Sequence, residues 1–105
     1  MTFTLEQLNQ NIIERAKADP SESYTASLLA KGVEKCAQKL GEEAVEAVIA
    51  AVSNNQSELT KEAADVFYHL LVLLKSVDVS LDDVMKELAN RTAQSGLSEK
   101  ASRKK

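Results

Sequence analysis

Two stretches of this sequence are so poor in charge that they restrict the folds open to the chain. Residues 44–52 read AVEAVIAAV and residues 63–74 read AADVFYHLLVLL, with Glu46 and Asp65 as their single charged residues. A helix at the surface of a soluble protein has one apolar stripe and one polar face. Helices that are apolar nearly all round are buried on most sides. We therefore expect two core helices that each carry a carboxylate into apolar surroundings.

Capping residues and helix breakers divide the chain into four or five helices. Three glycines and one proline leave little material for turns, and no stretch alternates like a strand for long, so the predicted fold class is all-α. The helices are expected at about Leu5–Ala18, from Ser23 or Thr25 to near Gly32, from Val33 to about Ser53, from Asn55 or Ser57 to about Val77, and from Ser80 to just before Gly96. The two long helices, around 33–53 and 57–76, predict a central antiparallel helical hairpin.

The composition excludes several kinds of partner. A length of 105 residues predicts one domain over 1–105, with a polar, basic tail at 95–105. The formal net charge of −3 gives no strong field for nucleic acid or an anionic membrane. The strongly apolar run 66–74 is far below the roughly 20 residues that cross a bilayer. Cys36 is the single cysteine, so no internal disulfide forms and a cytoplasmic location is expected.

Acidic residues are predicted to converge between the two long helices. Glu43 and Glu46 are three residues apart, as are Glu62 and Asp65, and Glu42 lies four residues before Glu46. Residues three or four apart share a helix face. In an antiparallel hairpin, Glu46 and Glu62 can lie at similar heights, which would bring four or five carboxylates together. Neither charge-poor stretch contains Lys or Arg, and a buried carboxylate without a partner either protonates or binds a cation.

This set of side chains indicates a magnesium site. Carboxylate oxygens suit Mg²⁺, or Mn²⁺ as its substitute, better than Zn²⁺ or copper. A di-iron bundle is a rival, but it uses Glu-x-x-His pairs, whereas the motifs here are Glu-x-x-Glu and Glu-x-x-Asp. Substrate phosphates commonly complete the coordination of Mg²⁺, so the predicted ligand is a di- or triphosphate. The alternative is that these acids are ordinary solvated surface charges.

A basic stripe and a histidine adjoin the acidic residues. Lys31, Lys35 and Lys39 recur every four residues and could supply ammonium groups to outer phosphate oxygens, unless they form a solvated face. His69 lies four residues after Asp65. A general base is one interpretation, but Leu and Val follow it in the sequence, which favours a buried, hydrogen-bonded structural histidine.

Four strings carry a resemblance to a known family. They are YTASLLAKG at 24–32, KLGEEAVEAVIAA at 39–51, EAADVFYHLLVLL at 62–74 and SGLSEKASR at 95–103. From Ser23 to Arg103 the chain resembles the phosphoribosyl-ATP pyrophosphohydrolases. The EExxE and later ExxD motifs are shared with the wider class of MazG-like all-α nucleotide pyrophosphohydrolases, whereas the SYT, YH and SGxxEKASR strings make the narrower resemblance.

The resemblance implies hydrolysis of phosphoribosyl-ATP to phosphoribosyl-AMP and pyrophosphate in histidine biosynthesis. It implies Mg²⁺ ligands at Glu43, Glu46, Glu62 and Asp65. Glu42 is either an additional ligand or the residue that orients the attacking water, so the predicted catalytic residues are Glu42, Glu43 and Glu46. The predicted substrate-binding residues, all basic, are Lys35, Lys39, Arg91, Lys100 and Arg103.

The resemblance also implies a homodimer, and the residues agree. Five helices from one chain are too few to cover two nearly all-apolar helices, so a partner chain is expected to complete the bundle. Two alternatives stay open. One is a house-cleaning enzyme that hydrolyses free or damaged nucleoside triphosphates. The other is a non-catalytic helical dimerisation module whose acids form salt bridges across the interface.

Overall fold

Five helices make up the described part of the chain, residues 2–93 of the computed structural model. They are α1 Leu5–Arg15, α2 Tyr24–Lys31, α3 Val33–Val52, α4 Gln56–Ser76 and α5 Leu81–Thr92. No strand occurs between residues 2 and 93, which confirms the all-α class. Helix α1 ends three residues earlier than expected and α5 ends at Thr92, before the expected boundary at Gly96. The predicted basic tail at 95–105 lies outside the described residues.

The predicted central hairpin is confirmed, and its turn is built by two asparagines. Helices α3 and α4 pack along each other across a connection of three residues. Asn54 adopts a φ of 58°, in the left-handed region that Asn tolerates better than most residues. The Asn55 side chain accepts a hydrogen bond of 3.1 Å from the backbone N–H of Glu58 and so caps α4. This tight turn places the second half of α3 opposite the first half of α4.

The hydrophobic core lies at the open end of the hairpin, away from its turn. Its buried residues come from all five helices and are Ile12, Leu28, Cys36, Leu71, Val72 and Leu81. The Cys36 thiol donates a hydrogen bond of 3.4 Å to the backbone carbonyl of Leu28, which ties α3 to α2. Helices α1 and α2 contribute to the core at this end, whereas apolar side chains of α3 at residues 45–52 are exposed in the single chain.

One apolar face of α3 is exposed. We call it the α3 stripe: Val45, Val48, Ile49 and Val52, with 59%, 62%, 55% and 79% of their surface accessible. The spacing of three and four residues puts all four side chains on one side of the helix. This exposure agrees with the expectation that one chain has too few helices to cover residues 44–52, and the burial expected of them on most sides depends on the predicted partner chain. No helix within residues 2–93 is both long and apolar enough to cross a membrane.

Candidate metal centre

Three carboxylates meet between the facing halves of α3 and α4. One oxygen from each of Glu43, Glu62 and Asp65 lies within 4.8 Å of the other two. Glu62 and Asp65 share a face of α4, and the hairpin brings Glu43 of α3 opposite them. Glu62 is 8% exposed, Glu43 is half-buried and Asp65 is exposed. We call this group the carboxylate trio; three of the five carboxylates that the sequence predicted to converge belong to it.

The electrostatics of the trio are unfavourable without a cation. Burial, followed by repulsion from Glu46, raises the pKa of Glu62 to about 7. Burial also raises the pKa of Glu43, with further contributions from Glu46 and Asp65. Oε1 of Glu62 and Oε2 of Glu43 are buried and have no hydrogen-bond partner within residues 2–93. Buried oxygens normally have partners, so the trio fits a hard divalent cation that would satisfy both.

Glu46 lies beside the trio rather than within it. It is exposed in the single chain, yet it stands close enough to Glu62 to raise the pKa of that carboxyl. Glu46 and Glu62 line a cavity of about 230 Å³ together with Glu58, one turn before Glu62 on α4. Glu58 was missed in the sequence, although its spacing of four residues from Glu62 is the signal that could have revealed it.

The basic residues of α3 join the acidic cluster through Glu42. The Glu42 carboxylate accepts a hydrogen bond of 2.8 Å from Gln38 and lies 3.5 Å from the Lys39 ammonium. The Gln38 hydrogen bond, followed by the charges of Lys39 and Lys35, lowers the pKa of Glu42. The positive charge of Lys39 also acts against the raised pKa of Glu43, so the ammonium lies within electrostatic reach of the trio. The positively charged Lys39 side chain therefore lies at the rim of the metal centre.

The remaining predicted site residues lie elsewhere or outside the described chain. Arg91 is on α5, where its guanidinium pairs with Glu87 at 2.9 Å. Lys100 and Arg103 lie outside the described residues. His69 is buried, as expected of a structural histidine, but its Nδ1 has no hydrogen-bond partner in residues 2–93. The predicted burial of His69 is therefore confirmed, whereas the hydrogen bond expected of it is not made at Nδ1 within residues 2–93.

Metal affinity is expected to rise with pH until Glu62 is ionised. Because the pKa of Glu62 is raised to about 7, a proton competes with the cation below that pH and no longer does so above it. Titration of the protein with Mn²⁺ should give an affinity that rises up to about tenfold per pH unit below about pH 7 and then levels off. The Glu62→Gln variant should bind Mn²⁺ weakly with a flatter profile. A flat profile in the wild-type protein would contradict this assignment.

The fold and site together define a class of protein. A helical hairpin that carries Glu-x-x-Glu on one helix and Glu-x-x-Asp on the next, with their carboxylates facing each other, is typical of MazG-like all-α nucleotide pyrophosphohydrolases. Residues 5–92 match the family described as phosphoribosyl-ATP pyrophosphohydrolase, and the chain belongs to that family.

Relatives named phosphoribosyl-ATP pyrophosphatase are similar over nearly the whole chain. The protein of Allorhizobium ampelinum is 59% identical over 102 residues, which cover 97% of this chain and 98% of the relative. That of Rhizobium johnstonii is 58% identical over 101 residues, or 96% and 94% of the two chains. That of Methylobacterium nodulans is 57% identical over 104 residues, or 99% and 97%.

Proposed function

We propose that this protein hydrolyses phosphoribosyl-ATP to phosphoribosyl-AMP and pyrophosphate, a step of histidine biosynthesis, with Mg²⁺ or its substitute Mn²⁺ held at the carboxylate trio. Family membership and the names of the relatives support the substrate. The observation that carries the chemistry is the approach of three carboxylate oxygens within 4.8 Å. Two of these side chains have a buried oxygen that finds no hydrogen-bond partner in the described part of the chain. A cytoplasmic location is part of this proposal.

The reaction requires little covalent work from the side chains. Water attacks the phosphorus at the α position, the bond to the bridging oxygen breaks, and pyrophosphate leaves. A bound divalent cation would neutralise charge on the phosphate oxygens and activate the water. Glu43, Glu62 and Asp65 would hold that ion, with Glu46 beside them as the fourth proposed ligand. The ionised Glu42 can accept a hydrogen bond from the attacking water and orient it, while Lys39 offsets charge on outer oxygens.

We also propose that a second copy of the chain covers the α3 stripe. Four adjacent aliphatic side chains, each more than half exposed, form a contiguous apolar surface of the kind that marks an interface. A self-complementary stripe suits a two-fold dimer, in which the same surface of both subunits meets. Ile49 belongs to the stripe and also lines the cavity beside Glu46 and Glu62. The partner would therefore shield that cavity from water.

Comparison of substrates tests the assignment. With saturating Mg²⁺, we expect kcat/KM for phosphoribosyl-ATP to exceed the values for dCTP and dUTP by at least about 100-fold. A preference for dCTP or dUTP would favour the house-cleaning alternative. Absence of turnover with all three substrates, together with no change in Tm on addition of Mg²⁺ and pyrophosphate, would indicate a non-catalytic dimerisation module.

A further inference from the structure

Two short strings that are far apart in the sequence come together beside the metal centre. Tyr24 and Thr25 begin α2, and Tyr68 and His69 lie in the second half of α4. The rings of Tyr24 and Tyr68 stack with their centroids 6.2 Å apart, and the His69 ring meets Tyr68 edge-on at 5.0 Å and Tyr24 at 6.2 Å. The Tyr68 hydroxyl is hydrogen-bonded to the buried Thr25. The packing fixes the orientation of the three rings.

His69 is a neutral hydrogen-bond donor near the metal centre. The residue is 5% exposed, and its Nδ1 is buried with no hydrogen-bond partner among residues 2–93. A buried N–H without an acceptor is costlier than an unpaired ring nitrogen, which places the proton on Nε2. Burial, followed by the positive charge of Lys39, lowers the pKa of His69, whereas the nearby carboxylates of Asp65 and Glu42 act in the opposite direction. A neutral N–H donor therefore lies within electrostatic reach of the Lys39 ammonium and of Asp65 in the trio.

Tyr24 presents a second donor at the same place. Its side chain is 56% exposed, and its hydroxyl has no hydrogen-bond partner within residues 2–93. An electrostatic interaction with the Tyr24 side chain, ahead of the interaction with the Glu42 carboxylate, raises the pKa of Lys39, so the Tyr24 and Lys39 side chains lie within electrostatic reach of each other. The hydroxyl of Tyr68, by contrast, is already committed to Thr25. The two tyrosines of the stack therefore differ in what they can offer a ligand.

We propose that Tyr24, Lys39 and His69 form an anion subsite that binds one phosphate group of the substrate next to the metal-bound anhydride. The inference rests on the proposed function and adds to it. One ammonium, one hydroxyl and one neutral N–H match the acceptor oxygens of a phosphate, and hydrogen bonds from a cation to phosphate are among the strongest that proteins make. The group bound is either the terminal phosphate of the leaving pyrophosphate or the ribosyl phosphate, since both present the same oxygens.

Product binding tests the subsite with variants that differ by single groups. Tyr24→Phe removes the free hydroxyl and keeps the stacked ring, and His69→Leu removes the N–H. His69→Gln restores a donor at the position of Nε2. Tyr68→Phe is the matched control, because it removes a hydroxyl that serves only the bond to Thr25. The probes are pyrophosphate with Mn²⁺ and phosphoribosyl-AMP with Mn²⁺, and the affinity for Mn²⁺ alone is measured separately. Turnover of phosphoribosyl-ATP by the wild-type protein tests the proposed function independently.

We expect Tyr24→Phe and His69→Leu each to lower the affinity for the same product by roughly tenfold, because each variant loses one hydrogen bond to a charged group. The affinity of both variants for Mn²⁺ alone should stay within about twofold of the wild-type value, and His69→Gln should recover part of the lost product affinity. Tyr68→Phe should lower Tm without lowering the affinity for either product. The product whose affinity falls identifies which phosphate group the subsite binds. Wild-type affinity of both Tyr24→Phe and His69→Leu for both products would overturn the subsite, as would an equal loss in Tyr68→Phe or a parallel loss of Mn²⁺ affinity.

Discussion

Replacement of Glu62 by Gln is expected to lower kcat by roughly 100- to 1,000-fold and to raise the thermal stability of the metal-free protein at neutral and higher pH. The amide keeps the shape of the side chain but cannot offer a negative oxygen to the ion. Loss of one side chain that helps to stabilise the charge of the transition state lowers kcat by roughly 100- to 1,000-fold. The same change removes a buried carboxylate whose Oε1 has no hydrogen-bond partner in the part of the chain that the structure describes.

The effect on stability has a defined dependence on pH. The pKa of Glu62 is raised from 4.5 to about 7 in the folded protein, so between these values the folded state binds more protons than the unfolded state. The stabilising contribution of the protonated form is complete below about 4.5 and is lost as the pH rises through about 7. The Tm advantage of Glu62→Gln over the wild type should therefore be larger at pH 8 than at pH 5 and should disappear when saturating Mg²⁺ is added.

Circular dichroism melts and steady-state kinetics at saturating Mg²⁺ measure both effects. Glu22→Gln is the control, because Glu22 is an exposed glutamate in the turn before α2. It should leave kcat and Tm unchanged. Near-normal kcat in Glu62→Gln, or a metal-free wild-type protein that gains stability from pH 5 to pH 8 relative to this variant, would contradict the role of Glu62.

A glutamate at position 48 is expected to separate the dimer into monomers. Val48 is at the middle of the α3 stripe and is 62% exposed in the single chain, so Val48→Glu disturbs no intrachain core contact. In a dimer the same carboxylate would be buried against apolar side chains of the second copy, which is strongly unfavourable. We expect the dimer dissociation constant to rise by at least about 100-fold, the effect of disrupting an interface hot spot.

Sedimentation velocity over a range of protein concentrations measures this change. Val77→Glu is the matched control, since Val77 is 46% exposed and lies in the connection between α4 and α5, away from the stripe. It should leave the dimer intact. A wild-type protein that is monomeric at micromolar concentration, or a Val48→Glu variant that sediments like the wild type, would rule out the α3 stripe as the dimer interface.

Local chemistry explains why the helix starts could be predicted. Thr4 and Gln7 form a capping box at the start of α1, Asn55 caps α4, and Ser80 caps α5 by accepting a hydrogen bond from the N–H of Asp83. Each cap depends on residues within three positions of one another, which spacing alone reveals. The proximity of Glu62 and Asp65 was predictable for the same reason, since the two residues share a helix face. The short turn indicated that glutamates of α3 would face them, but the sequence placed Glu46 at the height of Glu62, whereas Glu43 belongs to the trio.

Features that depend on docking between distant segments could not be predicted in this way. The aromatic cluster joins Tyr24 to His69 because α2 packs against α4, and no spacing rule connects residues 45 positions apart. The sequence indicated that one chain has too few helices to bury residues 44–52. It could not show that Val48 and Val52 are among the exposed side chains, because this depends on how the helices of residues 2–93 pack. The Nδ1 of His69 was expected to have a partner because most buried polar atoms do.

A crystal structure grown with Mn²⁺ and pyrophosphate, with the metal located by its anomalous scattering, tests the metal-centre assignment. We expect an anomalous peak about 2.1 Å from oxygens of Glu43, Glu62 and Asp65, with pyrophosphate oxygens completing its coordination. The account would be contradicted if the carboxylates of the trio faced bulk solvent. It would also be contradicted if they were paired with lysine or arginine while the pyrophosphate and Mn²⁺ bound elsewhere.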